Sequence, residues 1–168
     1  TKVVLHLGQA IDLQTKNHDL QAADELEKAL EAGFKHPSVY FDLGMLRFKN
    51  DRLESAHRNL QHAVKHADFA LASRLLLGQI MTKMGRYNEA SVEYLEALKL
   101  ADCYVVPDEL SDEMRQLYEP IIEAQSAQKD ESALKLLCDN IYKMLMRPDW
   151  RETLVKAREQ LPKAEGDI

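Results

Sequence analysis

The stretch LGQIMTKMGRYNEASVEYLEAL, residues 77–98, contains the pattern that decides the fold. A Leu-Gly pair lies in one helical segment, a glycine-containing break follows, and a second helical segment carries small and large residues at spacings of four and three. A glycine inside a helix costs about 1 kcal/mol relative to alanine, so Gly78 needs a structural reason. The simplest reason is a neighbouring helix that comes too close to leave room for a side chain.

The same pattern occurs three times along the chain, with Leu-Gly pairs at 7–8, 43–44 and 77–78. The segment after each pair has a small, a large and a small residue: Ala22, Leu26 and Ala29, then Ala56, Leu60 and Ala63, then Ala90, Tyr94 and Ala97. These sets recur at one constant spacing, the distance from Ala22 to Ala56, which we call the repeat length. Their internal offsets place each set on one helix face. We expect buried packing at all three glycines. Because the first interval between Leu-Gly pairs exceeds the repeat length by two, we also expect a longer loop at residues 16–19.

This pattern resembles the tetratricopeptide repeat, a helix–turn–helix unit of about 34 residues. The third copy is the best match, through Leu77-Gly78 and the run from Met84 to Ala90. The second copy departs with Arg47, where the family prefers a large aromatic residue, and the first departs with Val4 at its aromatic start. The resemblance implies an all-α, right-handed α-α solenoid in which paired helices stack.

Breaks in the helical period predict nine helices and no strands. The predicted spans are 2–16, 19–32, 37–49, 52–67, 69–84, 87–101, 108–127, 130–146 and 149–161. We predict a single domain over residues 1–162, with repeats at about 1–35, 37–69 and 70–103, a degenerate repeat at 108–147, a capping helix at 149–161 and a tail at 163–168. In the degenerate repeat, Ala133, Leu137 and Asn140 take the small, large and small positions, and Val105-Val106-Pro107 forms an extended connection before it.

Composition excludes several classes of function. The chain has 22 Lys and Arg against 28 Asp and Glu, a formal charge of −6, which disfavours binding to nucleic-acid phosphates. No run of apolar residues is long enough for a membrane span, so no membrane insertion is expected. The two cysteines, Cys103 and Cys138, have no metal-binding or redox spacing and are interpreted as free thiols of a cytoplasmic protein. The chain has no initiator Met, which we interpret as a processed chain or an excised domain.

No arrangement of residues indicates an enzyme. The sequence has no nucleophile elbow, no phosphate-binding loop and no reactive-cysteine signature. His57, His62 and His66 fall on one predicted helix, and His62 with His66 has the i, i+4 spacing of two metal ligands. A third ligand is not evident, so a solvated helix surface is preferred to a metal site. We therefore expect no catalytic residues, no metal and no cofactor.

The resemblance implies a concave groove lined by the first helix of each repeat. Carried over by position, its lining residues are Leu5, Gln9, Phe41, Met45, Phe48, Lys49, Leu75, Gln79 and Lys83. Leu5 and Gln9 replace the Lys and Asn with which carboxylate-clamp members bind acidic C-terminal peptides, so we expect no such clamp. The apolar centre predicts a scaffold or adaptor that binds a peptide or an amphipathic helix.

Three alternatives remain open at this stage. The domain is a regulatory or targeting part of a larger signalling protein or enzyme, or it pairs two copies of itself as a homodimer. A third alternative is that the chain's own C-terminal helix fills the groove. An RNA-binding helical repeat is a weaker hypothesis because the groove has few basic residues.

Overall fold

The computed structural model of the protein describes residues 2–159, and throughout that range its regular structure is helical. The helices are α1 (Lys2–Thr15), α2 (Asp19–Glu31), α3 (Pro37–Lys49), α4 (Leu53–Ala63), α5 (Ala67–Lys83), α6 (Tyr87–Val105), a 3-10 helix (Asp108–Leu110), α7 (Ser111–Ser126), α8 (Glu131–Leu145) and α9 (Trp150–Glu159). The predicted all-α class is confirmed for the described part of the chain. The end of the predicted capping helix and the tail at 163–168 lie outside it.

The chain divides into two compact units. The first unit ends at Arg86 and the second begins at Tyr87, at the turn between α5 and α6. The predicted third repeat spans this boundary. Each unit is described by itself below.

The first unit is built from helical hairpins. α1 packs against α2 and α3 packs against α4, while α2 also contacts α3, and α5 contacts both α3 and α4. The side chains between α1, α2 and α3 form one apolar cluster: Ala10, Ala22, Ala23, Leu26, Leu30, Val39, Leu43 and Leu46. Burying a leucine side chain in this way contributes about 1.5–3 kcal/mol, so the cluster holds the first two hairpins together.

The connections that precede α2, α4 and α6 recur at the repeat length. Asn17, Asp51 and Gly85 have positive φ angles of 61°, 61° and 75° and are equally spaced along the chain. Each lies in the middle of a three-residue connection, because α1, α3 and α5 end at Thr15, Lys49 and Lys83 and the next helices begin at 19, 53 and 87. The predicted longer loop at residues 16–19 is therefore wrong.

The glycines explain why the first interval between Leu-Gly pairs is longer. Gly44 packs against α4: an added Cβ atom would lie 2.6 Å from Cγ of Leu60. Gly78 is buried as well, so these two glycines match the prediction. Gly8 is exposed with nothing within 4 Å of an added Cβ, so its predicted burial is wrong. The residue one repeat length before Gly44 is Ala10, which is fully buried and takes the position of the small residue.

The small–large–small sets of the second helices are confirmed as buried. Their exposed fractions are between 0% and 4% at Ala22, Leu26, Ala29, Ala56, Leu60, Ala63, Ala90, Tyr94 and Ala97. The residue types repeat because each helix of this kind presents one face to a neighbour. Small residues let the neighbour approach and the large residue fills the space between them.

The second unit is arranged around α6. This helix packs against α7, α8 and α9. The buried face of α8 consists of Leu134, Cys138, Ile141 and Leu145, at offsets of four, three and four. The predicted register of the degenerate repeat is wrong, because Asn140 is exposed and Leu137 is only half-buried. The large apolar side chains, one position further along the helix, decide which face is buried.

α6 is longer than predicted and ends at Val105, so the predicted extended connection is wrong for Val105 and Val106, whose N–H still donates to Asp102, and is extended at Pro107 alone. The additional turn carries Asp102, whose carboxylate accepts a hydrogen bond from the hydroxyl of Tyr118 on α7. Both side chains are buried, which makes this a polar contact inside the α6–α7 interface. Trp150 at the start of α9 is also buried.

Candidate protein-binding surface

Three large apolar side chains lie along one side of α3. Phe41, Met45 and Phe48 are separated by four and three residues, which places them on one face of the helix, and all three are half-buried. We refer to these three residues as the apolar row. α3 is fixed at its start by the Nδ1 atom of His36, which accepts a hydrogen bond of 3.1 Å from the backbone N–H of Ser38.

One end of the apolar row is extended by α5. The ring of Phe69 lies 5.5 Å from the ring of Phe41, centroid to centroid, and 5.8 Å from the ring of His66. Phe69 was not among the predicted groove residues. It lies in the first turn of α5, which the predicted span 69–84 already includes, and the Nδ1 atom of His66 caps this turn by accepting a hydrogen bond from the backbone N–H of Asp68. The sequence His66-Ala67-Asp68 resembles His36-Pro37-Ser38 at the start of α3. This similarity is the sequence signal that could have identified the start of α5 and, with it, Phe69.

The other end of the apolar row is basic. The Nζ atom of Lys83 lies 4.8 Å from the ring centroid of Phe48 and 4.0 Å from a carboxylate oxygen of Asp51. An ammonium group over an aromatic face is attracted by the electron density of the ring. Lys49, the residue that follows Phe48, is exposed on the last turn of α3. Two lysines against the one carboxylate of Asp51 leave a net positive charge at this end, which can attract an anionic group.

Two other predicted groove residues of α5 differ in exposure. Leu75 is 8% exposed, so it is part of the interior of the unit and offers little area to a ligand. Gln79 is half-buried. It is one turn from Lys83 and on the same side of α5. The surface that remains accessible on α5 is thus more polar than the sequence predicts.

Leu5 and Gln9 lie on a different face from the one that corresponds to the apolar row. One repeat length earlier in the chain, Phe41, Met45 and Phe48 correspond to Leu7, Ile11 and Gln14. Leu5 and Gln9 instead line a surface depression of about 500 Å³ together with Val4, Gly8, Asp12, Leu13 and Glu25. The predicted register of α1 is two residues out because it takes Gly8, and not Ala10, as the equivalent of Gly44. The same choice leads to the wrong loop prediction. A binding role for Leu5 and Gln9 stays a prediction.

The rim of this depression carries a fixed carboxylate. His6 donates from Nδ1 to Glu25 at 2.7 Å, and the Nζ atom of Lys28 lies 3.2 Å from the other carboxylate oxygen. The hydrogen bond from His6 is the main cause that lowers the pKa of Glu25, and Lys28 adds to it. These contacts join α1 to α2 and hold the side of the depression in place.

The histidines are not arranged as one cluster on one helix. α4 ends at Ala63, so His66 belongs to the start of α5. His62 stacks on Tyr40 with 4.5 Å between ring centroids. Within residues 2–159, no three His, Cys, Asp or Glu side chains are grouped to hold a metal ion. The i, i+4 pair of the sequence therefore serves as an aromatic contact and a helix cap.

In the part of the chain that the structure covers, no helix has both the length and the apolar character of a membrane span. Comparison of the chain with models of protein families and with curated proteins finds no match.

Proposed function

We propose that the chain is a non-catalytic protein-binding module of the tetratricopeptide kind, which binds an amphipathic helix or an apolar peptide on the apolar row of α3. The observation that carries the proposal is a line of three large apolar side chains on a helix surface, each of them only partly buried. Apolar side chains that lie together at a surface are typical of interaction sites. Phe, Met and Tyr are enriched at the centres of protein interfaces.

The two ends of the row suggest the chemistry of the ligand. Phe69 and Phe41 offer aromatic area at one end, where an aliphatic or aromatic side chain of the ligand would pack. Lys83, with Lys49 nearby on α3, offers positive charge at the other end. The proposed ligand is therefore a short helix or extended segment with two or three apolar residues on one side and an acidic residue at one end.

The proposal can be tested with a displayed library of amphipathic peptides selected on the purified protein. Selected peptides are then measured against a variant with Phe41→Glu and Phe48→Glu. We expect binding to be lost, because a charge at position 41 would be buried without a partner, and a glutamate at position 48 would pair with Lys83 in place of the ligand. A matched control is Leu136→Glu, since Leu136 is 61% exposed on α8 in the second unit.

Phe41 also packs within the protein, so circular dichroism and thermal unfolding must show that the variant keeps its fold. Met45→Glu provides a second variant with no aromatic contact to lose. Peptides that bind these variants as tightly as they bind the wild type, or that respond equally to the control, would contradict the proposed site.

A further inference from the structure

A second apolar surface lies on α7, in the second unit. Met114 and Tyr118 are the buried residues of this helix, and they mark the side that packs against α6. Next to that side, a stripe of apolar residues faces water. Its members follow one another at offsets of seven, four and three, which places them together on the helix surface: Leu110, Leu117, Ile121 and Ala124. We refer to these four residues as the α7 stripe.

The α7 stripe has the pattern of a helix-binding surface. Leu110, Leu117 and Ile121 are 43%, 62% and 47% exposed. Leu110 directly precedes α7 and has the backbone angles of a right-handed helix, so it continues the line of the stripe. Together with Met114, the stripe has the alternating offsets of four and three that apolar residues take where one helix packs along another.

The surroundings of the α7 stripe are acidic. Residues 108–123 include six carboxylates and one basic residue, Arg115, and so carry most of the chain's formal charge of −6. Arg115 is paired with Asp112 at 2.9 Å. On the flank of the stripe that faces away from Tyr118, the charged side chains are all exposed and all acidic: Glu109, Glu113 and Glu123.

We propose that the α7 stripe binds an amphipathic helix of another protein, in which lysine or arginine residues border the apolar side. Charge complementarity determines the chemistry of this partner. Glu113 is within one turn of both Leu110 and Leu117, so a basic side chain beside an apolar contact would meet its carboxylate. A second copy of α7 would instead bring like charges together across the contact. The partner also differs from the ligand proposed for the apolar row of α3, which carries an acidic residue.

The apolar and the charged parts of this surface would act differently on binding. Burial of the leucine and isoleucine side chains removes apolar area from water, and this contribution does not depend on charge. Attraction between exposed carboxylates and lysines extends over about 10 Å and is screened as the salt concentration rises. We therefore expect the affinity to fall with added salt but not to disappear.

The test uses a synthetic peptide of 16 residues, the length of α7, with leucine at the a and d positions of a heptad and lysine at the flanking positions. A matched peptide has glutamate in place of each lysine. Fluorescence anisotropy of the labelled peptides measures both dissociation constants with the full chain. We expect the lysine peptide to bind about tenfold more tightly than the glutamate peptide or better, and this ratio to fall at about 1 M salt.

Two variants separate the two contributions. Leu117→Gln combined with Ile121→Gln should raise the dissociation constant of the lysine peptide by about tenfold or more, because it removes apolar area but keeps the charge and the helix propensity. Glu113→Gln should raise it about two- to fivefold, and only at low salt, since the apolar area is intact. Leu136→Gln and Glu54→Gln, at exposed positions outside the stripe, are the matched controls and should leave it unchanged.

The proposal is overturned if neither peptide binds at concentrations up to about 1 mM, as would occur if the chain's own residues or a second copy covered the stripe. It is also overturned if both peptides bind equally, or if the Leu117 and Ile121 variant has no more effect than the controls, which would indicate attraction to acidic surface in general. Circular dichroism checks that each variant keeps its helical fold. These readings concern the second unit, so they are independent of whether the apolar row of α3 binds a peptide.

Discussion

Gly44 and Gly8 provide a matched pair of substitutions that tests the packing of the first unit. Both are glycines inside a helix, and replacing either with alanine gains up to about 1 kcal/mol of helix propensity. They differ in their surroundings. A Cβ at position 44 would lie 2.6 Å and 2.7 Å from Cγ and Cδ2 of Leu60, well inside the roughly 3.5–4.0 Å of a normal carbon contact. Leu60 is fully buried and cannot move into solvent.

We expect Gly44→Ala to lower the free energy of unfolding by about 1–2 kcal/mol, since overpacking a core costs about 1–3 kcal/mol and outweighs the gain in propensity. Gly8→Ala should raise it by about 0.5–1 kcal/mol, because nothing obstructs the added methyl group. Urea unfolding followed by far-ultraviolet circular dichroism measures both. The midpoints should move in opposite directions at an unchanged slope.

A double-mutant cycle tests whether contact with Leu60 causes the loss of stability in Gly44→Ala. Leu60→Ala alone should cost about 2–5 kcal/mol by leaving a cavity. In the Gly44→Ala background it should cost less, because the new methyl group no longer meets Leu60 and fills part of the space. The reasoning is refuted if Gly44→Ala is as stabilising as Gly8→Ala, or if the effects of the two substitutions in the cycle simply add.

Three further predictions concern single side chains. Tyr118→Phe removes the hydroxyl that donates to the buried carboxylate of Asp102, so it should lower the free energy of unfolding by about 1–3 kcal/mol. Urea unfolding measures this, and an unchanged midpoint of the unfolding transition would contradict the role of the hydroxyl. Burial raises the pKa of the Cys138 thiol to about 11, so iodoacetamide at pH 8 should label half-buried Cys103 first and Cys138 only after unfolding. Mass spectrometry of the peptides measures the two labelling rates, and equal rates would be inconsistent with a buried Cys138. Burial raises the pKa of Asp42, so the folded state favours its protonated form and stability falls as the pH rises through the range where it ionises. Asp42→Asn should therefore unfold at a higher temperature than the wild type at pH 7 and at a similar temperature near pH 3. An equal difference in unfolding temperature at both pH values would argue against burial of the Asp42 charge as the cause.

The sequence predicts the buried faces of α2, α4 and α6 well because their constraints repeat. Leu26, Leu60 and Tyr94 recur at the repeat length between small residues, and every one of them is buried. Each such helix has one buried face and little freedom to rotate. Repetition therefore determines which residues face inward even without knowledge of the neighbouring helix.

The register of α1 could not be predicted in the same way. The chain offers two small residues, Gly8 and Ala10, within one turn, and the Leu-Gly pair favours the wrong one. Packing decides between them: Ala10 completes the cluster with Leu26 and Leu43, and Gly8 remains on the opposite side. In α8, the apolar residues Leu134, Ile141 and Leu145 indicate the buried face by their spacing, whereas the weaker resemblance to a repeat favours the adjacent positions.

The candidate site was predicted in part. Phe41, Met45 and Phe48 share a helix face by spacing alone, so the apolar row follows from the sequence. Phe69 reaches the row because the first turn of α5 packs against α3, and the exposure of Leu75 also depends on tertiary packing. Neither can be deduced from the period of a single helix.

The most direct test of the proposed function uses methionine methyl groups as reporters in nuclear magnetic resonance. The chain has six methionines: Met45 lies in the apolar row, and Met114 is buried in the second unit. A peptide selected as described above is titrated into protein labelled at these methyl groups. The account predicts that the Met45 signal shifts and saturates with the peptide while the Met114 signal stays in place. An unchanged Met45 signal under conditions where the peptide is bound would contradict it.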